Sequence, residues 1–253
     1  MLCAEHLRVT VPGRVLCHDL NLEMNLGECW VILGRNGCGK TSLLHTLIGF
    51  QKPAGGRVVL DGVATDALPL RLAAQKMGAL LQEDTPVFSG SVLEYVLLGR
   101  FPHIGSLAPG AGDIDFARQN LARMSLNPLE SHSLATLSGG ERQRARIAML
   151  LTQNPQIFFL DEPLQHLDLP HQIETMKCFS QLAREQNRLV VMVLHDISWA
   201  NRYCDHAILM FDEGKISQGE CTSQINVRNL EELYQCRIKM LPGDSNYYLP
   251  DIE

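Results

Sequence analysis

The chain has 253 residues, 45% of them hydrophobic and 20% charged, which fits one large or two small globular domains with ample core. Its formal net charge of −6 argues against nucleic acid or an anionic lipid surface as the main partner, since both call for a basic face. No apolar run approaches the roughly 20 residues of a membrane span, and Met1-Leu2-Cys3-Ala4-Glu5-His6-Leu7-Arg8 lacks an apolar signal core, so the chain is expected to be cytosolic.

At the N-terminal end Leu7, Val9 and Val11 alternate, Pro12-Gly13 supplies a turn, and Val15-Leu16 and Leu20-Asn21-Leu22 follow. This pattern predicts a short antiparallel sheet. The apolar run Cys29-Trp30-Val31-Ile32-Leu33 then leads into Gly34-Arg35-Asn36-Gly37-Cys38-Gly39-Lys40-Thr41, of the form G-x-x-x-x-G-K-T, and Thr41-Ser42 through Ile48 has helical spacing. Strand, glycine loop and helix in that order form a phosphate-binding loop. Its glycines let successive backbone N–H groups turn inward around an anion, and the helix N-terminus adds partial positive charge. Lys40 is expected to reach the β- and γ-phosphates of a nucleotide, and the Thr41 hydroxyl to bind Mg²⁺.

Gly55-Gly56 precedes a strand, Arg57-Val58-Val59-Leu60, and Met77 to Leu81 is a buried strand ending at Gln82. Ser91 to Leu98 has helical spacing, Pro102 to Gly112 reads as loop, and Asp113 to Met124 is an amphipathic helix. The block from about 83 to 152 therefore reads as a helical insertion. Alternation resumes with strand Ile157-Phe158-Phe159-Leu160, a helix from Pro170 to about Gln186, strand Leu189 to Leu194, a short helix from Ser198, and a hairpin turning at Glu213-Gly214. Buried strands alternating with helices imply an α/β fold with a largely parallel sheet and right-handed crossovers. The tail after about Leu241 is too short for another domain. Eight cysteines without a C-x-x-C pair read as small core hydrophobes in a reducing compartment.

Two further motifs carry chemistry. The strand Ile157 to Leu160 ends in Asp161-Glu162, placing two carboxylates at its C-terminal edge, where ligands bind in open α/β sheets. Asp161 is expected to hold Mg²⁺ and Glu162 to polarise an attacking water. Leu137-Ser138-Gly139-Gly140-Glu141 precedes the apolar helix bearing Ile147, Ala148, Leu150 and Leu151. Ser-x-x-Glu there is a capping box. The two glycines cost about 1 kcal/mol each in helix propensity relative to Ala, and their use is to bare N–H groups for an anion.

Leu137 to Glu141 resembles the signature motif of ATP-binding cassette (ABC) ATPases, and the other motifs match that family in order and spacing over nearly the whole chain. The resemblance implies a P-loop NTPase α/β core with an antiparallel β subdomain and an inserted α-helical subdomain. It spans residues 1–240 as one ATP-binding domain, with the helical part at about 83–152 and a short tail at 241–253. It also implies a homodimer enclosing two ATP·Mg²⁺ head to tail, with Ser138, Gly139, Gly140 and Glu141 facing the ATP held by the partner's loop. By the same resemblance Gln82 links Mg²⁺ to the helical subdomain and takes part in catalysis. Asp168 lies at the dimer interface, and His195 contacts the γ-phosphate. Departures are Val11 where the family has an aromatic that stacks on adenine, the bulky Leu164-Gln165-His166 after Pro163, and Cys38 within the loop. Cys38 is expected to make the ATPase sensitive to alkylation, with ATP protecting.

Ser91 to His103, His171-Gln172 and Tyr247-Tyr248-Leu249-Pro250 are similar to segments in the ATPases of metal-chelate importers, those for iron siderophores, haem and vitamin B12. That subgroup implies integral membrane permease subunits, contacted through the surface around Gln82 to Arg100. It further implies a periplasmic or surface substrate-binding protein, no nucleic acid, and a peripheral position on the cytoplasmic side of the inner membrane. The alternatives are an importer ATPase for another cargo such as molybdate, a cytosolic ABC ATPase without a permease, and a phosphotransferase kinase, for which Leu137 to Glu141 has no use.

Overall fold

Two periodicities, alternation in the N-terminal hairpin and unbroken apolar runs such as Cys29 to Leu33, separate the strands into two kinds of sheet. In the computed structural model, residues 1–82, 88–105, 108–243 and 246–251 are described. Two units emerge, one formed by Met1–Leu68 with Met176–Glu253, the other by Pro69–Thr175.

The first unit begins with a hairpin of β1 (Leu2–Val11) and β2 (Arg14–Met24), in which Leu2 faces Met24 and Val11 faces Arg14 across the Pro12-Gly13 turn. Next come β3 (Cys29–Gly34), α1 (Lys40–Ile48), β4 (Gly55–Leu60) and β5 (Val63–Ala64). In the antiparallel order β2-β1-β4-β5 the β1–β2 pair is the sheet expected from the alternation, whereas the alternation does not foretell the joining of β4 and β5 to it. Gly55-Gly56 lies inside β4 rather than before it. A Cβ on Gly56 would fall 2.2 Å from the carbonyl oxygen of His6 and 2.3 Å from that of Glu5, so this close crossing of two backbones admits only glycine.

The second unit contains α2 (Leu70–Lys76), β6 (Met77–Leu80), α3 (Val92–Leu97), α4 (Ala111–Arg123), α5 (Gly139–Gln153) and β7 (Ile157–Asp161). Strands β6 and β7 pair in parallel, Met77 with Ile157 through Leu80 with Leu160. Helix α4 starts two residues before the expected Asp113, because the Asp113 carboxylate reaches back to accept the Gly110 N–H at 3.0 Å. The segment after α3 packs on α5 for a specific reason: a Cβ on Gly99 would lie 2.3 Å from the Met149 carbonyl. Arg100 Nε donates to Asp113 at 2.8 Å and His103 Nε2 to the Gln153 carbonyl at 2.7 Å, which fastens this segment to α4 and α5.

Helix α6 (Leu169–Gln186) carries the chain back to the first unit, followed by β8 (Leu189–Val193), α7 (Ile197–Tyr203), β9 (His206–Met210), β10 (Ile216–Glu220), α8 (Cys221–Gln224), α9 (Val227–Tyr234), β11 (Ile238–Leu241) and β12 (Tyr247–Pro250). Here β3 runs parallel to both β8 and β9, with Cys29 beside Val190 and Trp30 beside His206. All residues of β3 and β8 are buried, as parallel strands covered on both faces require. The tail is not featureless, since β11 and β12 form a hairpin of their own. Five cysteines are buried, but Cys3 and Cys178 are half-buried and Cys236 is exposed, so the core reading holds for only part of the set.

Candidate nucleotide site

The loop between β3 and α1 is shaped by three glycines. A Cβ on Gly34 would sit 2.6 Å from Cys38 Sγ and 2.8 Å from the Met210 carbonyl, while Gly37 has φ 77° and Gly39 φ 108°, in the left-handed region. A Cβ on Gly39 would also strike Leu16 at 2.6 Å, which ties the loop to β2. Lys40 is only 6% exposed, and its Nζ donates to the carbonyls of Gly34 at 2.9 Å and Arg35 at 3.0 Å. The ammonium thus closes the loop from within, while Arg35, Asn36 and Gly37 face outward and Thr41 and Ser42 are half-buried at the start of α1. Helix α1 has no side-chain cap and no acidic residue in its first turn, which leaves its N-terminal N–H groups directed at an incoming anion.

The rim of this loop carries residues that the sequence did not single out. Arg14 Nη1 donates to the Gly37 carbonyl at 2.9 Å, and Asp212 lies 3.6 Å from Arg14 and 3.4 Å from Arg35. Gln235 Nε2 donates to the same carboxylate at 2.8 Å. Cys38 is buried, and burial pushes its thiol pKa up; nearby Lys40 and Arg14 offset this only in part. Both features count against ready alkylation, because alkylation needs the thiolate and access.

In the second unit Asp161 ends β7 with 2% exposure. Glu162 follows with φ 51°, a left-handed conformation uncommon for a side chain of this length, and accepts a hydrogen bond from Gln165 Nε2. At the start of α5 the capping box is formed: Ser138 N–H donates to Glu141 Oε2 at 2.8 Å, its hydroxyl donates to the same oxygen at 2.6 Å, and Glu141 N–H returns to Ser138 Oγ at 3.3 Å. The hydrogen bonds from Ser138 hold the Glu141 carboxyl below the usual carboxylate range. The two glycines differ. A Cβ on Gly140 would lie 2.9 Å from the His166 carbonyl, so packing demands glycine there. On Gly139 it would meet His166 at an ordinary 3.6 Å, so packing does not account for that glycine.

Gln82 is exposed just beyond β6, and Arg146 of α5 donates to the Leu81 carbonyl beside it. Asp168, placed by resemblance at a dimer interface, caps α6: its carboxylate accepts the His171 N–H at 3.3 Å and also the His171 ring Nδ1. The hydrogen bond from His171 holds the Asp168 carboxyl below the usual range. His195 stands exposed after β8, in the first unit. The sequence-read residues thus fall into groups, with Gly34 to Ser42 and His195 in one unit and Gln82, Ser138 to Glu141, Asp161, Glu162 and Asp168 in the other.

A parallel sheet strand ending in a glycine cradle, a bare helix N-terminus and an inward lysine define a phosphate-loop nucleotide-binding protein. A family model described as ABC transporter matches residues 17–165. A probable siderophore transport system ATP-binding protein of Bacillus subtilis (strain 168) is 33% identical over 244 residues, covering 95% of this chain and 89% of that one. A structure of a putative metal-chelate type ABC transporter in an inward-facing conformation matches with TM-score 0.86 at 27% identity, over 100% of this chain and 98% of the other. A dimeric bacterial ABC transporter cassette matches with TM-score 0.78 at 27% identity, over 87% and 99%. The chain belongs to the ABC transporter family, and it is an ATPase.

Proposed function

We propose that the chain is the ATP-hydrolysing subunit of an importer that takes up a metal chelate, of the iron-siderophore kind, working as a homodimer with membrane permease subunits. The observation that carries this reading is the likeness to the siderophore-transport ATP-binding protein over 95% of the chain. No helix among the described residues is long and apolar enough to cross a membrane. In this reading the path for cargo belongs to permease subunits, and the chain acts peripherally at the cytoplasmic face. Of the surface expected to make that contact, Gln82 to Arg100, residues 83–87 lie outside the described residues; next to it in the chain Phe101, 59% exposed, and also Leu70, 89% exposed, offer apolar surface. Arg71 joins the two regions by donating to the carbonyls of Pro102 and Ile104. A substrate-binding protein outside the membrane would deliver the cargo.

In this mechanism the N–H groups of Gly37 to Thr41 cradle the ATP phosphates, and Lys40 exchanges its carbonyl partners for phosphate oxygens. Thr41, Gln82 and Asp161 would hold Mg²⁺, and their hydroxyl, amide and carboxylate oxygens are the donors this ion takes. When bound, Mg²⁺ neutralises charge on the β- and γ-phosphates. Glu162 polarises the attacking water and His195 contacts the γ-phosphate. Ser138 turns its hydroxyl from Glu141 to the ATP of the partner subunit, and Gly139 and Gly140 bare their N–H groups to it. Asp168 meets the partner at the interface. Alignment of water and neutralisation of charge suffice, with no covalent enzyme intermediate.

Purified Glu162→Gln tests the assignment. It should bind ATP, lose about 100-fold or more in turnover, and accumulate an ATP-bound dimer in gel filtration, because an amide cannot accept the proton of water. Hydrolysis at the wild-type rate would refute the role given to Glu162.

A further inference from the structure

The turn after Glu162 is fixed more firmly than an exposed loop requires. Gln165 N–H donates to the Glu162 carbonyl at 3.2 Å, and Leu167 N–H to the Leu164 carbonyl at 3.3 Å, giving two reversals in succession. Glu162 and His166 both take left-handed conformations, with φ 51° and 63°. From α5, Gln143 Nε2 donates to the Pro163 carbonyl at 3.0 Å in a buried contact, and Arg146 Nη1 orients Gln143 by donating to its Oε1 at 2.9 Å. Glycine at 140 lets the His166 carbonyl approach the same helix. Backbone strain of this kind persists only where the surroundings over-determine it. The consequence is that the Gln165 side chain is delivered onto the Glu162 carboxylate, with Nε2 donating to Oε2.

From this geometry we infer that Gln165 is a positioning residue for Glu162, holding the carboxylate plane in the orientation from which it polarises water. The inference rests on the reading of Glu162 given above. Only the N–H side of an amide can face a carboxylate, so the sense of the hydrogen bond is fixed. A neutral donor also suits the task. It fixes the rotation of the carboxylate, which decides where the second oxygen points, yet it does not neutralise the negative charge as a lysine would. Smaller residues at this position would end short of Glu162, so the length of the Gln165 side chain has a use inside the chain.

Steady-state hydrolysis by the purified full chain, with ATP affinity measured separately by equilibrium binding, tests this. Gln165→Met fills the same space without a donor and should lower kcat about 10-fold, leaving KM and ATP binding within about twofold. Gln165→Glu, which sets a second carboxylate against the first, should lose more. Gln165→His, which keeps an N–H at similar reach, should retain most of kcat. In the Glu162→Gln background, adding Gln165→Met should cost nothing further, because the group it positions is gone. An unchanged kcat in Gln165→Met overturns the inference, as does a rise in KM with kcat intact, or an equal loss in the Glu162→Gln background. The two readings fail separately. Full activity of Glu162→Gln removes the role of Glu162 itself, whereas an inactive Glu162→Gln beside an unaffected Gln165→Met removes only that of Gln165.

Discussion

Cys38 occupies the inner wall of the phosphate loop, where its sulfur and a Cβ on Gly34 could not both fit. Burial raises its thiol pKa, so little thiolate exists near neutral pH, and the reagent must also enter a closed loop. The fraction ionised therefore keeps rising with pH beyond about 8.5, where an ordinary thiol is already half ionised. In mass-spectrometric labelling with iodoacetamide, exposed Cys236 should react first and Cys38 at least about 10-fold more slowly, with bound ATP slowing it further. Equal labelling of the two, with activity lost on the same time course, would contradict the buried-thiol account. The glycines and Lys40 are legible in sequence because each answers a local backbone demand within a few residues. The pairing of Arg35 with Asp212 joins positions 177 apart, and only the three-dimensional path of β9 brings them together. No local pattern encodes such a contact.

At the scale of the element, α5 shows how one sequence pattern serves two ends. Ser138 and Glu141 form a capping box whether or not an anion arrives, and the Gly139-Gly140 pair beside it is partly a packing requirement set by His166. Ser138→Ala should destabilise the protein by about 1 kcal/mol through the lost cap, measured by urea unfolding without nucleotide. The pH dependence follows from Glu141, whose folded pKa is depressed by the Ser138 hydrogen bonds. A depressed carboxylate contributes stability that is present above its unfolded pKa, about 4.3, and is lost as pH falls through the folded value. The stability advantage of the wild type over Glu141→Gln should therefore shrink between about pH 5 and pH 3. An advantage unchanged across that window would sink the argument. Strand and helix identities are largely legible, because β3, β7 and β8 are continuous apolar runs and α5 and α6 keep a helical stripe. Less legible are ends set by side-chain caps, as at α4, and the β11–β12 hairpin, whose short strands are mostly exposed and carry no burial pattern.

For the whole molecule the decisive property is that each phosphate loop is read as half of a site. In the proposed head-to-tail homodimer Lys40 lies on the loop of one subunit, and Ser138 would act on the ATP of the other. A head-to-tail dimer then predicts complementation between two inactive variants. Lys40→Ala disables the site on its own subunit, and Ser138→Arg disables the site on the partner. In a mixed dimer both lesions fall in one site and the other is intact. Mixed in equal amounts and allowed to exchange, the two proteins should form about half mixed dimers, each with one working site, and regain about a quarter of wild-type hydrolysis if the sites act independently. Each variant alone should stay near background. The arithmetic is specific to sites shared between subunits. If every site were complete within one chain, both parents would carry their lesion in every site, and mixing would restore nothing. Recovery on mixing, measured as phosphate release against the two parents at the same total concentration, therefore reports directly on whether closure between two copies completes the site.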